Sequence, residues 1–108
     1  MKRFHLALGV VNIEPSVLDY SQRLGQDPNV VIPHEYALWR TDTLNLSIRK
    51  VSAEESRKLP HLGWETPDAI EFSTEMDSNG ILWEHFTAHQ QADEINQIWP
   101  DFQYLPKP

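Results

Sequence analysis

Asp77-Ser78-Asn79-Gly80-Ile81-Leu82-Trp83-Glu84-His85-Phe86 is the stretch on which the fold turns. Asp, Ser, Asn and Gly make a turn, and the apolar and aromatic run that follows predicts a β-strand. Glu84 sits inside that run and shares a strand face with Leu82 and Phe86. Burying a carboxylate among such neighbours is costly unless a positive group meets it. A metal ion, an Arg or a His from elsewhere in the chain has to be that group.

Immediately upstream, Ala69 to Met76 fits two periods. Ala69, Phe72 and Met76 suit a helix, whereas Ile70, Phe72 and Thr74 suit a strand. The strand is preferred, because Asp77 to Gly80 then closes a hairpin into the last strand. His61-Leu62-Gly63-Trp64-Glu65 reads as a strand with His61 on the face opposite Leu62 and Trp64. Ser52 to Leu59 is a polar, weakly helical link. Farther back, Thr43 to Val51 alternates Leu44, Leu46 and Ile48 against Thr43, Asn45, Ser47 and Arg49. Tyr36 to Thr41 and Val30-Val31-Ile32 are shorter strands, the latter ended by Pro33. Glu14-Pro15-Ser16 opens a helix with Pro15 in its first turn. Val17, Tyr20, Ser21 and Leu24 form its stripe, and Gly25 stops it. In Arg3 to Asn12, bulky Phe4, Leu6, Leu8 and Val10 share one face, and His5 points the other way among Ala7, Gly9 and Val11. Downstream, Ala92 to Trp99 predicts a short helix with Ile95, Ile98 and Trp99 as its apolar side, stopped by Pro100. The tail from Asp101 is expected to be loose, with Phe102, Tyr104 and Leu105 as the residues able to dock.

A chain of 108 residues supports one compact domain, and 4 Trp, 4 Phe and 3 Tyr are enough for a core. With no cysteine, disulfides, thiolate ligands and thiol nucleophiles are excluded. Any metal must be held by His, Asp, Glu, Asn or Gln. The net charge of −7 argues against a nucleic-acid partner, which needs a basic face. No apolar run is long enough to span a membrane. Met1 to Val11 has a basic start and an apolar stretch, but His5 interrupts it and no small-residue cleavage site precedes Asn12-Ile13-Glu14. It is read as a strand, and a cytoplasmic protein is expected.

His5, His61 and Glu84 therefore stand on three strands, each on the face opposite the large apolar side chains. Two imidazoles and a carboxylate are the ligand set of a facial metal triad, which leaves positions open for water, dioxygen or a chelating substrate. The alternative is three separate half-buried polar residues bonded to backbone or water.

Two patterns bear on the choice. One is His5-x-Ala7-Leu8-x-Val10 with Ser16, Tyr20 and Leu24-Gly25; the other is Asp77-x-x-Gly80-x-x-x-Glu84. With His61-Leu62-Gly63-Trp64-Glu65 they resemble the vicinal oxygen chelate superfamily of glyoxalases, extradiol dioxygenases and fosfomycin-resistance proteins. Lys2-Arg3-Phe4-His5, Glu35-Tyr36-Ala37-Leu38-Trp39, Leu44-Asn45-Leu46-Ser47-Ile48 and Gly80 to Phe86 are similar to its cadmium-induced protein and arsenical carbon–arsenic lyase branch. The resemblance implies an α+β fold: paired βαβββ modules in a curved open barrel, the first about 2–51. Here the second, about 60–88, is abbreviated, and a terminal helix follows at about 92–99. It implies a divalent metal, Fe(II) preferred with Mn, Ni or Zn as alternatives, on His5, His61 and Glu84. It further implies a dioxygenase, lyase or isomerase acting on a small substrate, and a homodimer. Relatives that sequester a ligand without chemistry keep open a non-catalytic binding or dimeric scaffold role with a vestigial metal site. Only Thr66-Pro67-Asp68 stands where that branch carries a helix and a further strand, and its arsenic-holding cysteines are absent.

Asn45 is a candidate for binding substrate or water, since a relative's fourth ligand stands near it. Arg49 is a candidate clamp for a substrate carboxylate. Tyr36 is a candidate donor to a bound oxygen, and Glu65 a candidate general base or supporting residue. Trp39, Trp64 and Trp83 are read as core, and His34, His85 and His89 as non-ligands.

Overall fold

The computed structural model describes all 108 residues. Strand β1 (Arg3–Val10) leads through helix α1 (Ile13–Leu24) to β2 (Val30–Ile32), β3 (Tyr36–Arg40) and β4 (Leu44–Lys50). A single 3-10 turn at Glu55–Arg57 precedes β5 (His61–Glu65), β6 (Ser73–Met76) and β7 (Leu82–Phe86). Helix α2 (Ala88–Ile98) and a second 3-10 turn at Pro100–Phe102 end the fold.

All seven strands join one open mixed sheet in the order β2-β3-β4-β1-β5-β7-β6. The protein is α+β, and its two halves correspond. β1 runs parallel to β4, whose other neighbour β3 is antiparallel; β5 runs parallel to β7, whose other neighbour β6 is antiparallel. The second half has no counterpart of α1 or β2, the abbreviation expected from the short connection after His61. The halves meet where β1 and β5 pair antiparallel.

α1 forms where expected. Gly25 caps it with φ 70°, a conformation open to glycine, and the Gly25 and Gln26 amides both donate to the Ser21 carbonyl. Val17, Tyr20 and Leu24 pack on Ile13, Trp39, Leu46 and Ile48, and the fourth stripe residue, Ser21, accepts a hydrogen bond from Trp39 Nε1 at 3.3 Å. α2 starts four residues earlier than the apolar pattern suggests. Thr87 caps Gln90, and Gln90 caps Thr87 in return, a capping box readable in Thr87-x-x-Gln90. Its Ala92 and Ile95 pack on Ile32, Tyr36 and Leu38 from the opposite side of the sheet. β3 is thus sandwiched, and all five of its residues are buried.

Two expectations are corrected. Of Ala69 to Met76, only Ser73–Met76 is strand; the residues before it bend, and Ile70 is 97% exposed. Of the apolar residues ahead of the strand, Phe72 stacks on Phe86 of β7, whereas nothing covers Ile70. The tail is not loose: Tyr104 is buried, and Asn96 grips it by accepting from its amide at 2.7 Å and donating to its carbonyl at 2.9 Å. Phe102 and Leu105 stay exposed. No helix is long and apolar enough to cross a membrane.

Candidate functional site

Sheet register brings the three polar strand residues together. Asn45 of β4 pairs with His5 of β1, His5 with Gly63 of β5, and Gly63 with Glu84 of β7. Paired residues share a face, so His5 and Glu84 flank a position with no side chain. A Cβ at Gly63 would lie 2.0 Å from the Glu84 carbonyl oxygen, which only glycine avoids. His61, two residues before Gly63, lies on the same face.

His5 Nε2 lies 3.3 Å from Glu84 Oε1, and His61 Nδ1 lies 3.6 Å from the same oxygen. His5 is buried, whereas half of the His61 side chain is exposed. The Glu84 side chain keeps only 15% of its surface accessible. Burial pushes its carboxyl up, but the His5 hydrogen bond and the charges of His5 and His61 outweigh burial and hold it below the usual carboxylate range. Donors bound about 2.1 Å from one ion stand about 3.0–3.4 Å apart in octahedral or tetrahedral geometry. The two nitrogen–oxygen separations are close to that, and one imidazole is free to turn. As the side chains stand, no group of three or more His, Asp or Glu residues is arranged around a common metal position. The nitrogens address Glu84 itself.

The three residues line a cleft of about 330 Å³. Ala7, Gly9 and Ser47 leave its floor open, while Phe72 and Phe86, stacked at 5.1 Å, form an apolar wall. Tyr36 lines it too; burial keeps its hydroxyl protonated, the neighbouring Ser47 opposing only in part. Arg49 sits at the rim over the Trp99 ring at 5.5 Å, and Glu94 of α2 faces it. Burial and the charge of Glu84 raise the Glu94 carboxyl, against Arg49 and His5.

Asn45 and Glu65 lie beneath the cleft rather than in it. Glu65 receives a two-pronged bond from Arg40 at 2.8 and 2.9 Å, one from Arg3 at 2.8 Å and one from Asn45 Nδ2 at 2.8 Å. Burial pushes the Glu65 carboxyl up, but these hydrogen bonds and the charges of Arg40 and Arg3 hold it down, to about 2. With its lone pairs occupied, it has no basicity to offer a substrate. Asn45 is fully buried and bonds to His5, Glu65 and, in both directions, Gln91. Its polar atoms are spent inside the protein.

Sequence reasoning missed Arg40 and Gln91. Arg40 had a signal: a cation ending the apolar run Tyr36-Ala37-Leu38-Trp39 poses the same question as Glu84. Gln91 had none, because only the fold brings α2 across β4. His34 pairs with Glu14 at 2.9 Å on the surface, His89 is exposed, and His85 points to the other side of the sheet, in register with Trp64. Trp39 is core, while Trp64 and Trp83 are half-buried and meet Phe4 edge-on.

Comparison with protein families and with curated proteins finds no match. Among solved structures, a chain described as an NAD-dependent benzaldehyde dehydrogenase from Legionella pneumophila is similar, with 12% identity and a TM-score of 0.54. The match covers 78% of this chain and 97% of that one. At that identity the likeness is one of fold.

Proposed function

We propose that this protein is a cytoplasmic, metal-dependent enzyme of the glyoxalase or dioxygenase type, related to the vicinal oxygen chelate superfamily, acting on a small oxygen-chelating substrate. The observation that carries the reading is the approach of His5 Nε2 and His61 Nδ1 to one Glu84 oxygen, at 3.3 and 3.6 Å, on the wall of an open cleft. His5, His61 and Glu84 would hold a divalent ion, Fe(II) first, with Mn, Ni or Zn as alternatives. When bound, such an ion supplies Lewis acidity or, if iron, activates dioxygen. The chain's own groups do the rest. Tyr36 offers a protonated hydroxyl to a substrate oxygen, Arg49 meets a carboxylate at the rim, and Phe72 and Phe86 keep water from the inner wall.

A second reading has its own observation. Glu84 is already paired directly with both imidazoles. That arrangement suits a ligand-binding or dimeric scaffold protein of the same fold with a vestigial metal site. Anaerobic purification, chelator treatment and metal analysis with Fe(II), Mn, Ni and Zn offered separate the two. Binding that His61→Ala removes supports the enzyme; no binding, or binding untouched by that change, overturns it. A homodimer is part of the proposal and is read from light scattering on the same samples.

A further inference from the structure

The charged groups lining the cleft are not equally engaged. Lys58 is spent on Glu55 at 2.8 Å, and Glu84 faces the two imidazoles. Arg49 makes no ion pair, although Glu94 stands close enough to feel its charge. Its guanidinium lies over the Trp99 ring at 5.5 Å, and the Tyr36 ring lies 5.0 Å from the same ring. Register explains the meeting, since Tyr36 of β3 pairs with Arg49 of β4 and paired residues share a face.

Two hydroxyls stand beside this cation. Tyr36 and Ser47 are only 5% and 7% exposed, yet both line the cleft, and their hydroxyls are neighbours. Neither bonds to any other protein group. Neither is sealed off, the Tyr104 hydroxyl being the protein's one sealed and unbonded side-chain atom. Pairing along β1 sets the order of the groups. Arg3 pairs with Glu65, which is level with Phe86; His5 is level with Glu84 across Gly63; Ala7 pairs with Ser47, and Gly9 with Arg49. The candidate metal residues thus stand between an apolar wall and a row of donors, Ser47 about 7 Å and Arg49 about 13 Å farther along the strands.

We propose that Arg49, Tyr36 and Ser47 form one carboxylate subsite, and that the cleft takes a small monocarboxylic acid with an apolar body. The guanidinium grips the carboxylate with its planar fork, and the two hydroxyls donate to it. The body extends back across His5 and Glu84 toward Phe72 and Phe86. A phosphate dianion is disfavoured, because Glu55, Glu84 and Glu94 outnumber the cations Arg49 and Lys58. The inference rests on reading the cleft as a substrate site, and its test needs no metal.

Chelator-treated protein is titrated with 3-phenylpropanoate, 3-phenylpropanol and 2-phenylethyl phosphate, followed by tryptophan fluorescence and by nitrogen-15 NMR of the Arg49 side chain. The carboxylate is expected to saturate in the millimolar range, to shift the Arg49 Nε–H signal, and to bind about tenfold more tightly than the alcohol or the phosphate. Arg49 is exposed near the end of β4, where replacement disturbs little. Arg49→Gln should weaken binding about tenfold, and Arg49→Lys, which keeps the charge without the fork, should recover only part of it. Tyr36→Phe should weaken it about fivefold. The proposal is overturned by the absence of saturable binding, by equal binding of the alcohol or the phosphate, or by native-like binding to Arg49→Gln. Should a variant not fold, the native protein decides: an Arg49 Nε–H signal left unmoved by the carboxylate overturns the proposal. None of these outcomes bears on whether His5, His61 and Glu84 hold a metal, which the metal analysis reads separately.

Discussion

The two halves of the sheet share a strand pattern and differ in what covers them. β3 and β4 lie between α1 and α2, and Leu38, Trp39 and Ile48 are wholly buried there. β6 at the other edge is exposed at every residue, and Trp64 and Trp83 of the second half have no helix above them. Strand alternation alone yields one buried face; only a second layer turns a strand into core. The short half persists because it is paired to the covered half through β1 and β5 and clamped by the Arg3–Glu65–Arg40 cluster.

The largest effect is expected from breaking the uncovered half at its seam. Gly63→Ala puts a Cβ 2.0 Å from a backbone oxygen of β7, so the strands must part. A loss above about 4 kcal/mol in urea unfolding is expected, from strain in addition to lost pairing. A near-native midpoint would show that β7 contributes little. Trp39→Ala breaks the covered half and should cost about 3–5 kcal/mol, with Trp64→Ala costing about half as much. Equal costs would mean that helix coverage does not separate the halves.

Acid tests the clamp between them. The folded Glu65 carboxyl titrates near 2 against an ordinary value of 4.5. A depressed folded value stabilises above the unfolded one, so this contribution is full above about pH 4.5 and is lost as pH falls toward about 2. About 3 kcal/mol should disappear over that window, followed by thermal melting, and a flat profile would contradict it. Asp77→Ala should cost about 1–2 kcal/mol, since its carboxylate accepts from the Asn79 and Ile81 amides at 2.7 and 3.0 Å and from Trp83 Nε1 at 2.8 Å. His61→Ala should change stability by no more than about 0.5 kcal/mol, because half of the side chain is in water. A loss of several kcal/mol there would make His61 a structural residue.

Much of this was legible in residue order. Turn chemistry at Asp77 to Gly80, the stripe on α1 and the alternation in β1 and β4 are local signals, and each element formed within a residue or two of its expected place. Glu84 announced its need for a positive partner, and register supplied His5 and His61. What was not legible depends on a third body. Asn45 read as a substrate contact because the sequence could not show that Gln91 and Glu65 would consume its hydrogen bonds. The tail read as loose, with Phe102, Tyr104 and Leu105 all able to dock, and nothing in the residue order singled out Tyr104, because its grip, Asn96, has no pattern of its own. Ile70 read as strand because its apolarity could not reveal that nothing would cover it.

The placement of α2 also bears on how the chain acquires its structure. Ile32, Tyr36 and Leu38 share their cluster with Ala92, Ile95 and Tyr104, some sixty residues later. During synthesis, β1 to β4 can seal only the side facing α1. The inner face stays open until residue 104 has emerged from the ribosome. Closing so long a loop slows folding. The first half, for all its apparent self-sufficiency, is thus bound to finish last, and the chain matures as one cooperative unit instead of two successive modules.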